Sequence, residues 1–230
     1  MITPEMLSRS LLFAPLAEAE RAKICARMHE KAYPAGAMIF AEGDAGDALY
    51  LVLEGEVKIG ATTPDGHEIV YAVLGPGAFF GELALIDGHP RSAYAAAITK
   101  TRLAVLARER FEALLDDSPA MARALLAELA ARLRRADRTI VRISGLDAHR
   151  RVCAWLLDQA EHALAESRDG RMLLALPAQQ LIADQISTSR ETVARALSKL
   201  RRLGVLAPAG GRGRYWADIA ALREIVASAE

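Results

Sequence analysis

Between Gly81 and Ala93 the chain reads GELALIDGHPRSA, which sets a carboxylate, a guanidinium and a hydroxyl around a tight glycine turn. Each residue type suits one part of a ribose phosphate. Gly81 lets the backbone come close to a ligand. Glu82 can accept from a sugar hydroxyl, Arg91 can fork onto a phosphate bidentately, and Ser92 with neighbouring backbone N–H groups can complete the oxyanion contacts. Leu83 and Ala93 lie directly beside these groups and belong to the same candidate site. The competing arrangement is a surface hairpin in which Glu82 and Arg91 form an ordinary ion pair.

A second constellation is SRETVARALSKL, Ser189 to Leu200. Ser189 can cap a helix, Val193, Leu197 and Leu200 fall on one apolar face, and Arg190, Glu191 and Arg195 project from the other, with Thr192 and Lys199 beside them. A predicted helix over 178–186, a turn at Ser187 to Ser189 and this basic helix over 190–203 together make a helix-turn-helix. Val205 to Trp216 adds Gly210, Gly211 and Gly213 between short apolar ends, with Arg212 and Arg214 at the tip, which reads as a wing poised over phosphates. From Thr188 to Trp216 seven basic residues face one acidic residue, Glu191, although the whole chain has 29 of each sign and a net charge of zero. A local basic surplus matters more to a polyanion than the global sum. On charge alone a solvated helix face explains it equally well.

The elements that must position these residues can be read from texture. The first thirty residues predict short helices, carrying Leu11, Leu12 and Leu16, that form a lid on the segment after them. From Tyr33 to Ala107, ten of the chain's sixteen glycines punctuate short apolar runs. That pattern predicts an antiparallel barrel or jelly roll. Pro64, Asp65 and Gly66 supply a hairpin turn. Ser118 as cap and Pro119 at the first position open a long helix. Along it Ala122, Leu126, Leu129, Leu133, Ala136, Ile140 and Ile143 alternate spacings of four and three, an a/d seam that predicts a parallel homodimer. Packing of that stripe against the chain's own barrel is the alternative. A short linker, Ser144 to Asp147, leads to a helix over 151–164 and a strand over 172–176. The expected class is α+β, with segments 1–117, 118–146 and 147–230.

Several function classes are disfavoured. There is no Walker loop, HExxH, GxSxG or DFG-like metal motif, and the Glu82 and Arg91 pair would hold a phosphate without supplying a nucleophile or metal, so no enzyme is expected. Cys25 and Cys153 are far apart without CxxC spacing, which leaves neither a disulfide framework nor a cluster ligand set and makes both small core residues. No apolar run approaches the roughly 20 residues needed to cross a bilayer. The start has no basic n-region, so a cytoplasmic protein without membrane contact is expected.

The Gly81–Ala93 run resembles the phosphate-binding cassette of cyclic-nucleotide-binding domains. With the dimer helix and winged helix-turn-helix in that order, nearly the whole chain resembles the CRP/FNR superfamily of bacterial transcription regulators. The resemblance implies that Glu82 holds a ribose 2′-hydroxyl, that Arg91 and Ser92 hold a cyclic phosphate, and that Arg190, Glu191 and Arg195 read a TGTGA-like half-site in double-stranded DNA. It also implies a palindromic operator, RNA polymerase as a partner, and a small-molecule effector. Members that sense oxygen need an N-terminal cysteine cluster, and those that sense carbon monoxide need haem ligands. Here that region holds only Cys25, while His67 and His89 sit in a turn and in the cassette, so no metal, haem or iron–sulfur cluster is expected. Where cyclic-AMP-responsive members place a threonine and a serine for the base, this chain has Ala136 and Asp137. An ionised Asp137 is acceptor-only and could take the N6 amino group of adenine or, bidentately, the N1 and N2 hydrogens of guanine. Cyclic AMP, cyclic GMP and cyclic di-GMP therefore all stay open. So do a merely solvated Asp137 beside Arg134 or Arg138, and a barrel that binds no nucleotide. Ser187 stands where the family's turn often has glycine.

Overall fold

The glycine-punctuated stretch folds into short antiparallel strands behind two N-terminal helices, α1 (Pro4–Ser8) and α2 (Glu18–Cys25). The strands are β1 (His29–Tyr33), β2 (Met38–Phe40), β3 (Ala48–Glu54), β4 (Val57–Thr62), β5 (Glu68–Leu74), β6 (Phe79–Phe80), β7 (Tyr94–Ala97) and β8 (Thr101–Ala107). Helix α3 (Leu83–Asp87) interrupts them, and α4 (Arg108–Asp117) and α5 (Pro119–Gly145) come next. The computed structural model describes residues 1–162, 167–168, 170–211 and 213–228. It divides into two units, Met1–Arg134 and Arg135–Glu230.

In the first unit two four-stranded sheets, ordered β1-β8-β3-β6 and β2-β7-β4-β5, form the expected jelly-roll architecture. Strands β3 and β8 are central, and their side chains alternate between two cores, so both read as nearly unbroken apolar runs. Ala48, Tyr50, Val52, Leu103 and Val105 face the other sheet's Val57, Ala95 and Ala97. Leu49, Leu51, Ala104 and Leu106 face Leu7, Leu12, Phe13, Leu16 and Ile24 of the N-terminal segment, together with Phe111, Met121 and Leu125. The first thirty residues therefore cover one sheet. Leu11 differs from its neighbours and is exposed. The Pro64–Gly66 turn joins β4 to β5, with Gly66 in the left-handed region that residue type tolerates.

Helix α5 opens as expected. The Ser118 hydroxyl accepts from the Met121 N–H at 3.3 Å. Its first turns are pinned by buried Met121 and Leu125. Leu129 is partly buried, but Leu126, Leu133 and Ile140 are 66%, 63% and 62% exposed. Most of the predicted seam therefore does not pack on this chain's own barrel.

In the second unit α6 (Ala148–His162) is followed by β9 (Ser167–Arg168), β10 (Arg171–Ala175), α7 (Gln179–Gln185), α8 (Arg190–Arg202), β11 (Leu206–Pro208), β12 (Arg214–Asp218) and α9 (Ile219–Ala227). The core joins Val152 and Leu156 of α6 to Ile182 of α7, Val193, Leu197 and Leu200 of α8, Ala217 of β12 and Leu222 of α9. Two local expectations shift. Helix α6 starts three residues earlier than the apolar stripe suggested, because Asp147 Oδ1 accepts from the N–H groups of His149 and Arg150 at 2.8 and 3.0 Å and caps it. Helix α5 also runs on to Gly145, so only Leu146 and Asp147 separate the two helices. Arg142 of α5 pairs bidentately with Asp158 of α6 across that short joint. The expected continuation of α6 through residues 163 and 164 lies outside the described residues.

Candidate effector and nucleic-acid sites

Gly81 leaves β6 with φ +83°, a backbone conformation that other residues resist. A Cβ there would sit 2.7 Å from Arg91 Nη1. Glycine is thus required both for the turn and for the guanidinium behind it. Arg91 Nη1 donates to the Gly81 carbonyl at 2.6 Å and Nη2 to the Ala48 carbonyl at 2.9 Å. The guanidinium lies 4.4 Å from the Phe40 ring centroid and 5.7 Å from that of Tyr50, with an Asp47 carboxylate oxygen 3.5 Å away. Burial draws its pKa down, and Tyr50 and Asp47 oppose the shift. The backbone of Arg91 is tied to the preceding loop, Gly43 N–H to the Arg91 carbonyl and Arg91 N–H to the Asp44 carbonyl, both at 2.8 Å. Arg108, the first residue of α4, locks the opposite side by donating to the carbonyls of Gly46, Ala84 and Leu85.

Glu82 is 2% exposed and Arg91 4% exposed, so the cassette is not a surface hairpin. Nor do they pair with each other through hydrogen bonds. Glu82 Oε1 accepts from Arg132 Nη1 of α5 at 3.0 Å, and Arg132 also donates to the Phe79 carbonyl at 2.7 Å and to Glu128 at 3.0 Å. Burial raises the Glu82 pKa, against the opposing pull of Arg132. Glu82 Oε2 and Arg91 Nε are buried without a hydrogen-bond partner among the described residues. An acceptor and a donor left so cost free energy until something satisfies them. Ser92 and Leu83 are exposed and Ala93 is buried immediately before β7. Asp137 is exposed on α5, five residues past Arg132. Arg132 and Arg108 went unread in the sequence. Arg132 falls between seam residues Leu129 and Leu133, where it looks like a solvated helix charge, and only the register of α5 against the sheet brings it to Glu82.

The second constellation is also assembled. Ser189 caps α8, its hydroxyl accepting from the Thr192 N–H at 3.2 Å. Val193, Ala196, Leu197 and Leu200 are buried, while Arg190, Glu191, Arg195 and Lys199 are exposed. Arg195 Nη2 donates to the Thr192 hydroxyl at 3.2 Å. In the turn ahead of α8, Ser187 takes the glycine-like conformation, φ +51°, and is the one non-glycine with positive φ among the described residues. Strands β11 and β12 pair antiparallel with Arg214 at the start of β12, and β10 extends the same sheet. Arg212 lies outside the described residues.

Among the described residues no cluster of three or more His, Cys, Asp or Glu could hold a metal ion. No helix among them is long and apolar enough to cross a membrane. Cys153 is fully buried, its thiol pushed up to about 12 by desolvation.

Residues 30–118 match the cyclic nucleotide-binding domain family, and residues 150–225 the Crp-like helix-turn-helix domain. The chain is 40% identical over 197 residues to the cyclic AMP receptor protein of Thermus thermophilus, covering 86% of this chain and 88% of that one. It is 32% identical over 200 residues to a CRP-like cAMP-activated global transcriptional regulator of Mycobacterium tuberculosis, covering 87% and 89%. Among solved structures, the c-di-GMP responsive global regulator CLP of Xanthomonas campestris superposes with a TM-score of 0.70 at 30% identity, covering 84% and 94%. Two motif-bearing units in a fixed order, each matched over the same span of relatives, leave one reading: the chain belongs to the CRP/FNR family of DNA-binding transcription regulators.

Proposed function

We propose that the protein is a cytoplasmic homodimer whose affinity for DNA is set by a cyclic nucleotide bound at Glu82, Arg91 and Ser92. Gly81, Leu83 and Ala93 shape that site. The carrying observation is the pair of buried polar atoms, Glu82 Oε2 and Arg91 Nε, that lack partners among the described residues and flank a left-handed glycine turn. A ribose hydroxyl and a phosphate are the groups that complement them. Relatives named for activation by cyclic AMP and one named for its response to cyclic di-GMP keep both effectors in play, together with cyclic GMP. Asp137 favours a guanine edge, which offers it two hydrogens. The segments 1–117, 118–146 and 147–230 are read as sensor, dimer helix with hinge, and DNA-binding domain. On DNA, α8 enters the major groove, where two arginines suit guanine O6/N7 and Glu191 suits cytosine N4 in TGTGA-like palindromic half-sites. Arg212 and Arg214 of the wing rest on phosphates, and RNA polymerase is the partner that reads the complex.

A second reading is a ligand-free barrel. It is favoured by Arg132, which occupies Glu82 Oε1, and by the two backbone carbonyls that satisfy the outer nitrogens of Arg91. Calorimetric titration with the three nucleotides separates the readings. Micromolar binding of one of them, abolished by Arg91→Ala, is the expected result, and weaker binding by Asp137→Ala identifies the base reader. Silence from all three leaves a regulator that senses a different effector or carries a ligand-free barrel.

A further inference from the structure

The first residues of α6 and the exposed face of α8 enclose an open notch of about 230 Å³, lined by His149, Thr192, Arg195, Ala196 and Lys199. Three of the five are nitrogenous bases or cations and none is acidic. Thr192, Arg195 and Lys199 succeed one another at helical spacing, so α8 brings all three to the same side of the notch, with their aliphatic stems and Ala196 forming most of its wall. The Thr192 hydroxyl accepts from Arg195 Nη2, which holds that guanidinium at the rim. Asp147 Oδ1 already takes the amides of His149 and Arg150 at the start of α6, so an incoming anion meets the side chains of the notch in their place. The notch lies on the helix assigned to DNA reading, and the anion that such a face meets is a backbone phosphate.

We propose that this notch seats one phosphodiester of bound DNA, and that His149 takes a proton from solvent as the phosphate enters, donating the new N–H to a phosphate oxygen. The proposal rests on the DNA-binding reading of α8 and adds proton uptake to it. In the free protein burial and the charge of Lys199 hold the imidazole below its ordinary value, with Asp147 pulling the other way. The thiol of Cys153 one turn on is buried and protonated, so it contributes no charge. Lys199 and Asp147 are the charged side chains that act on the imidazole, and Arg195 of α8 lines the same notch. Free His149 is therefore neutral near pH 7. A phosphate anion against it reverses the balance, and each protomer binds up to one more proton on DNA than off it.

The test is fluorescence anisotropy of the full-length protein on a palindromic TGTGA-like duplex and on a non-specific duplex, from pH 5.5 to 8.5 at fixed ionic strength. Wild type is expected to bind both more tightly as pH falls, with a slope approaching one decade per pH unit per protomer. His149→Gln should flatten that slope and, at pH 6, reduce the salt dependence by about 0.9 per protomer, the share of one phosphate. His149→Lys should bind tightly at every pH, which a merely structural histidine would not allow. A Gln variant with the wild-type slope, or a Lys variant no tighter than Gln at pH 8, overturns the proposal. Binding that is flat with pH in wild type overturns proton uptake alone. Absence of DNA binding at every pH overturns it together with the reading on which it rests.

Discussion

Glu82 is a carboxylate held buried at a cost. A carboxylate 2% exposed with one oxygen on Arg132 and the other without a partner among the described residues is poorly solvated for a charge. Its raised pKa means that the folded protein holds this proton more tightly than the unfolded chain does. The stabilising contribution of Glu82 is then greatest below the unfolded value near 4.5 and is lost as pH rises through the higher folded value. Glu82→Gln removes the titration. Thermal melts of the effector-free proteins from pH 4 to 8 should therefore show the variant gaining on wild type as pH rises. Parallel curves would mean that Arg132 compensates the burial fully. The same variant should weaken effector binding by about 1–1.5 kcal/mol, the difference between a hydrogen bond to a charged acceptor and one to a neutral acceptor. Arg91 carries a burial penalty too, which the Phe40 and Tyr50 faces and two carbonyls offset only in part.

Helix α5 carries two messages on its surface. One side docks through Met121 and Leu125 and delivers Arg132 to the cassette. Another side exposes Leu126, Leu133 and Ile140 at seven-residue intervals. Leaving such apolar side chains in water forgoes about 1.5–3 kcal/mol each, which the proposed knobs-into-holes packing of a second copy would recover. Leu133→Glu is expected to convert the dimer to a monomer in sedimentation at micromolar concentration. The melting temperature of the isolated protomer should hardly change, because Leu133 is not part of its core. A dimer that survives this substitution places the interface elsewhere. The same helix thus carries both Arg132, which reaches the cassette, and the exposed leucines proposed to meet a second copy.

For the molecule as a whole, effector and DNA must be linked reciprocally if one controls the other. A coupling of about 1–3 kcal/mol would make the effector bind roughly 5–150-fold more tightly when operator DNA is present, by the factor with which it tightens DNA binding. Titrations of the effector with and without operator should return that shared factor, and equal affinities would remove the claim of control. The short joint at Leu146 and Asp147, braced by the Arg142–Asp158 pair, is suited to transmit rotation of α5 because it leaves little slack. Proton uptake at His149 would add pH as a further term in the same linkage.

The sequence by itself determined the identity and order of the parts. Glycine spacing marked the jelly roll, the four-three seam marked α5, and Ser189 with its apolar face marked α8, because backbone conformation and amphipathic period are local properties. Even the strained Ser187 turn was legible from its place between two helices. Helices α4 and α9 were missed: with Phe111 and Leu222 as their fully buried anchors, both depend on tertiary packing for their apolar signal. Pairing of β10 with the wing, the Glu82–Arg132 contact and the His149 notch were decided only in three dimensions. Each joins residues from elements distant in sequence, and no local pattern records which faces of a helix or sheet will meet. Burial, which turned Glu82 and Arg91 from a plausible surface pair into two buried groups with separate partners, is likewise a property of the packed molecule and not of the residues that compose it.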